Sequence, residues 1–165
     1  MQVVETCKTK LGVNNPLTLS SMANPASTYW KQRRWEEAEN LEVQVTETSK
    51  AKLGADHPST LTSISNLAST CWNQGRWDQA ENLFAQVMET RKTKFGANHP
   101  DTLTSMNNLA FTWKAIGRHR DALRLIQICS TIQLRVLGPD HPRTVSALRA
   151  LIEWQKDSEN LVQEG

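Results

Sequence analysis

Apolar and polar positions alternate in the same order again and again along this chain, with a repeat of 42 residues. The clearest copy is 53–94. Within it Leu61, Ile64, Leu67, Ala68 and Cys71 recur at helical spacing and share one face. Gln74-Gly75-Arg76 breaks the pattern, and Gly75 suits the left-handed conformation that ends a helix. A second amphipathic run follows, with Trp77, Ala80, Leu83, Phe84, Val87 and Met88, and continues to Lys94. Pro58 fits the first turn of the first helix, which places Asp56 or His57 near its N-cap. Each unit is therefore predicted as two antiparallel helices, the first of about four turns and the second slightly longer.

The same marks return at fixed intervals. Leu11-Gly12, Leu53-Gly54, Phe95-Gly96 and Leu137-Gly138 are each 42 residues apart, as are Pro16, Pro58, Pro100 and Pro142. A period of this length signals a stacked array of supersecondary units. The expected order is one array over 1–165: a lone second helix at 2–10, repeats at 16–52, 58–94 and 100–136, and a lone first helix at 142–163. Ala26, Ala68 and Ala110 hold one position in the first helix, and Ala38, Ala80 and Ala122 another in the second. Small side chains there allow close crossing of helices without loss of helix propensity. Pro25 stands where later repeats have Leu67 and Leu109. A kink or unwound first turn is expected near 23–25, read either as fraying at one end of the array or as a hinge.

The order Leu67-Ala68, Cys71, Gly75, Trp77, Ala80, Phe84 resembles the tetratricopeptide repeat. The 42-residue length, with the phrases SNLASTCWNQGRWDQAENLF and LGADHPSTL, is similar to the repeats of kinesin light chains. Similar arrays occur at the C-terminal end of signalling NTPases of the NB-ARC and NACHT type. The resemblance implies an all-α, right-handed α-solenoid whose first helices line a concave groove. It also implies a non-catalytic scaffold binding a peptide or protein segment there.

The candidate binding residues lie on the non-core face of the first helices. Asn24, Asn66 and Asn108 recur at one position. A row of amides, each with donors and an acceptor, can hold an extended peptide by its backbone. The resemblance assigns that role to the asparagine of the Asn-Leu-Ala motif, intact at Asn66 and Asn108. The motif is altered at Asn24, which precedes Pro25, and replaced at Ala150. The alternative is that these amides only order the stack. Trp30, Trp72 and Phe111 project from the same face as candidate anchors, or else pack over the next repeat. Lys31, Asn73, Asn107, Lys114 and Arg149 complete the set. The cations favour an acidic peptide, offset by Glu153 and Asp157.

Composition narrows the classes further. The 165 residues carry a net charge of +2, without the basic run expected of a nucleic-acid partner. No apolar stretch reaches the length of a membrane span, and the N-terminal residues lack a secretory pattern. Cys7, Cys71 and Cys129 form no CxxC pair, so reduced thiols in a cytoplasmic protein are the simplest reading. His57, His99 and His141 fall one per repeat, roughly 20 Å apart for two helix diameters, too far to share a metal. Capping and loop packing account for them. No phosphate loop, nucleophile elbow or HExxH helix is present, so neither an enzyme nor a cofactor is expected. The apolar positions of 2–10 and 142–163 call for a neighbour. Either this is part of a longer array or chains associate head to tail through these helices.

Overall fold

The computed structural model describes residues 26–163, with side-chain surroundings through Ser158. The segment 2–10, the start of the first repeat, Cys7, Asn24 and the bend expected around Pro25 lie outside the described residues. Residues 26–31 are helical and lead into six helices: α1 (Trp35–Leu53), α2 (Pro58–Asn73), α3 (Trp77–Phe95), α4 (Pro100–Ala115), α5 (His119–Leu137) and α6 (Pro142–Gln163). Two compact units result, Met1–Leu83 and Phe84–Gly165, divided within α3.

Local chemistry sets the helix ends. His57 is the N-cap of α2, where its Nδ1 accepts the Ser59 N–H at 3.1 Å. His99 accepts from Asp101 N–H at 3.2 Å at the start of α4, and His141 from Arg143 N–H at 3.2 Å at the start of α6. In each case Pro occupies the next position, where no N–H is needed. The recurrent histidines therefore cap helices. The short turn before α1 contains Arg33 at φ 59°, where the equivalent turns have Gly75 and Gly117 at φ 76° and 82°. A side chain with Cβ is strained there, at a cost of roughly 1–2 kcal/mol.

Within the first unit α1 packs against α2. All six recurrent alanines are buried, each at a point where a larger side chain would push helices apart. Leu61, Ile64, Ala68 and Cys71 form the apolar stripe of α2. The inward stripe of α1 is unusual, for after Ala38 it continues with Glu42, Thr46 and Ser49, all buried.

In the second unit α5 packs on both α4 and α6. Ala110, Ala122, Ile126, Ala147, Ala150 and Trp154 make one apolar cluster, with Trp113 and Leu151 against it. Leu103, Met106 and Cys129 make another, joined by Met88 and Ile132. Buried Arg91 reaches across to the Ser105 hydroxyl at 2.9 Å and the Asp101 carbonyl at 3.3 Å. On α5 the equivalent residue is Gln133, fully buried, with no hydrogen-bond partner for either end of its amide.

Candidate functional site

In the first unit the non-core face of α2 carries Thr62, Ser65, Asn66, Ser69, Trp72 and Asn73. Several of these polar groups satisfy their own helix. The Ser65 and Ser69 hydroxyls donate to Leu61 and Ser65 carbonyls at 3.0 Å, and the Asn73 amide donates to Ser69 O at 2.7 Å. Asn66 is exposed beside them. Trp72 is 37% exposed and Trp30 39%, large values for indoles, whose apolar rings gain from leaving water. Trp30 meets Trp35 edge-to-face at 5.8 Å, which holds one edge of the ring. Ser27, Trp30, Lys31, Glu42, Asn66 and Ser69 enclose a cleft of about 230 Å³. The expected residues Trp30, Lys31 and Asn66 thus come together.

Glu42 was not among the expected site residues. A signal for it was available, since the repeat register puts it in line with Phe84 and Ile126. Burial pushes its carboxyl up to about 7, the Thr70 hydroxyl opposes that shift, and nearby Glu39 adds to it. Neither Glu42 Oε2 nor the Thr70 hydroxyl has a hydrogen bond of ordinary geometry.

Several charged groups at the turns are paired. Arg34 holds Glu37 at 2.7 Å and lies over the Tyr29 ring at 4.4 Å. Arg118 repeats this with Asp121 at 2.6 Å and Trp113 at 4.7 Å. Arg76 pairs with Glu39 at 2.6 Å, and Gln74 donates to the same carboxylate at 3.1 Å. Burial works against the charge on Glu39, but these bonds outweigh it and hold the carboxyl below its ordinary value. A wide cleft of about 770 Å³ along this edge is lined by both members of the Arg34–Glu37 and Arg76–Glu39 pairs.

In the second unit the candidates are engaged differently. Phe111 meets Trp154 edge-to-face at 5.1 Å. The Lys114 ammonium stands 5.7 Å from the same ring and 2.7 Å from Asp157 Oδ2. Phe111 and Lys114 therefore bind α4 to α6, and the Lys114 charge is neutralised. Asn107 and Asn108 are half-buried, with Asn107 Oδ1 lacking a partner. Ala150, in the asparagine position, is buried in the α5–α6 core, where an amide would lack room. Arg149 is exposed on a shallow, largely apolar strip of α6 with Val145, Leu148, Ile152, Glu153 and Lys156.

Among the described residues, no three His, Cys, Asp or Glu side chains are grouped as metal ligands, and no helix is long and apolar enough to cross a membrane. Cys71 and Cys129 are buried, unpaired thiols.

Comparisons with known proteins agree with this architecture. The family model described as tetratricopeptide repeat matches residues 26–93 and 59–127. The chain is similar to a solved structure of a variant kinesin-light-chain-type protein from Podosopora anserina, made of nearly identical TPR-like repeats. The TM-score is 0.82 at 26% identity, over 99% of this chain and 80% of that one. A second structure of such repeats from that organism gives 0.81 at 27% identity, over 96% and 75%. BtubC (BKLC) from P. vanneervenii shares the fold, with a TM-score of 0.78 at 18% identity, over 94% and 62%. No curated protein matches the sequence.

Proposed function

Because the chain belongs to the tetratricopeptide repeat family, in its 42-residue kinesin-light-chain-like form, we propose that its first-helix faces capture an extended peptide or protein segment. This fold is a non-catalytic scaffold, and repeats of this family generally mediate protein–protein interaction. The observation that carries the reading is the pair of exposed indoles, Trp30 and Trp72, on a face otherwise made of hydroxyls and amides. Such rings give a peptide apolar area at low entropic cost, while Asn66 and Asn73 hold its backbone. Asn107, Asn108, Phe111, Lys114 and Arg149 form the corresponding face of the second unit, and Asn24 is assigned the same role by its place in the repeat. Unpaired Cys71 and Cys129 suit a reducing compartment, and we place the protein in the cytoplasm.

The test is selection of peptides from a random display library on the full chain, with affinities then measured by fluorescence anisotropy. Asn66→Ala with Asn108→Ala, and separately Trp72→Ala, should each weaken the selected peptides at least tenfold. Unchanged affinity in the double variant would reject the amide role, and unchanged affinity in all variants would reject the site.

A second reading, self-association, rests on α6. Val145 and Ile152 are exposed, Ile152 by 55%, although their counterparts Leu103 and Ala110 on α4 are buried. The segment 2–10 of a second copy has the register of a second helix, with Val3 in line with Val45 and Val87 and Lys10 with Lys52 and Lys94. We propose it as the occupant of this strip. The contact is head-to-tail, so mass should grow with concentration in sedimentation velocity and return to monomer in Ile152→Glu. A monomer at all concentrations rejects it.

A further inference from the structure

The cleft in the first unit holds a carboxylate that backbone capture of a peptide leaves unused. Glu42 is 7% exposed, and its Oε2 has neither a hydrogen-bond partner nor contact with solvent. It occupies a repeat position filled by Phe84 and Ile126 elsewhere in the chain, so the fold itself does not call for a charge there. A buried carboxylate is unfavourable until a cation or several donors reach it.

The groups around it leave that role vacant. On its own helix, Glu39 is taken by Arg76 and Gln74. On α2, the Thr70 hydroxyl stands against the carboxyl without a hydrogen bond of ordinary geometry, the Cys71 thiol is pushed up by burial, and Asn66 and Ser69 line the cleft. On the segment 26–31, Ser27, Trp30 and Lys31 close the other side. Lys31 is exposed, and the ion pairs among the described residues do not include it or Glu42.

We propose that this cleft receives the basic side chain of a partner peptide, an arginine or lysine that lies along Trp30 and brings its charged head to Glu42. The proposal rests on the peptide-capture reading and adds the ligand's chemistry to it. An indole face attracts a cation. A guanidinium or an ammonium donates to a carboxylate in a charge-assisted hydrogen bond. The Asn66 carbonyl and the Ser27 and Ser69 oxygens can accept the remaining N–H groups. The cleft of about 230 Å³ suits a single side chain and not a folded domain. Lys31, at the rim, opposes a second basic residue beside the first and sets the spacing of charge in the ligand.

Protonation gives the proposal a signature. Only ionised Glu42 pairs with the cation, and its carboxyl titrates at about 7 in the free protein. Affinity for a basic ligand should therefore fall as pH drops from 8 to 6, by about tenfold.

The experiment uses the full chain on an array of random nine-residue peptides whose central residue is fixed as Arg, Lys, citrulline, Leu or Glu. Retention on the Arg and Lys pools at pH 8 should exceed that on the citrulline, Leu and Glu pools at least fivefold. This preference should shrink toward unity at pH 6 and vanish in Glu42→Gln, which keeps the side-chain shape. Lys31→Ala should raise retention on the Arg pool. Equal retention on all pools, with binding still lost in Asn66→Ala, overturns the basic-ligand proposal and leaves peptide capture standing. A preference for Glu, or an Arg preference that survives Glu42→Gln or is lost in Lys31→Ala, overturns it too. Retention on no pool removes both readings.

Discussion

Replacing Glu42 by glutamine should stabilise the protein, and by an amount that depends on pH. The carboxyl titrates at about 7 when folded, against an ordinary 4.5. Its folded pKa is raised, so between these values the native state binds more protons than the unfolded chain, and stability falls as pH rises. Below pH 4.5 both states are protonated and the carboxyl carries no penalty. Above pH 7 both are ionised and the penalty is complete. At about 1.4 kcal/mol for each pH unit, the interval corresponds to on the order of 3 kcal/mol. Glutamine cannot ionise and retains nearly the same volume. Urea unfolding of the wild type and Glu42→Gln, followed by far-UV circular dichroism, provides the assay. The two should be nearly equal at pH 4 and differ by up to about 3 kcal/mol at pH 8.5, the variant being the more stable. A difference independent of pH, or a variant less stable at pH 8.5, would refute the reasoning. Either result would mean that the carboxylate is solvated or already paired.

Three further changes follow from the structure. Arg33→Gly should stabilise by about 0.5–1 kcal/mol in the same assay, because relief of the left-handed strain exceeds the added chain entropy. Gln133→Leu removes an amide with neither end bonded and should raise stability by about 1 kcal/mol, where loss of stability would show the amide to be satisfied. Burial pushes the Cys129 thiol up to about 12, and it donates to Leu103 O at 3.3 Å. Iodoacetamide at pH 8 should therefore label it only through unfolding, with a rate that rises in urea, and rapid labelling of the native protein would contradict its burial.

The 42-residue spacing made the helices legible, because Pro, Gly and Ala act through local geometry that recurs with the repeat. Trp30 and Trp72 could be placed on the solvent face for the same reason, and the histidines near the helix starts. Other features depend on what lies opposite. Trp154 is buried at a position where α2 and α4 carry Thr70 and Thr112, and it engages Phe111 and Lys114 of the preceding first helix. The threonines recurring at 60, 102 and 144 are all buried. Glu42 carries a charge at a position that the repeat register puts in line with two apolar residues, Phe84 and Ile126, and its burial depends on the helix opposite.

The central claim is that the first-helix faces, and not the second helices, receive the partner. The indole N–H signals of Trp30, Trp72 and Trp77 can be assigned by Trp→Phe substitution and followed by heteronuclear NMR during titration with a selected peptide. Trp30 and Trp72 stand on first-helix faces, whereas Trp77 opens the second helix α3 and is equally exposed. The Trp30 and Trp72 signals should shift to saturation together while Trp77 stays in place. Shifts at Trp77 with Trp30 and Trp72 unmoved would contradict it.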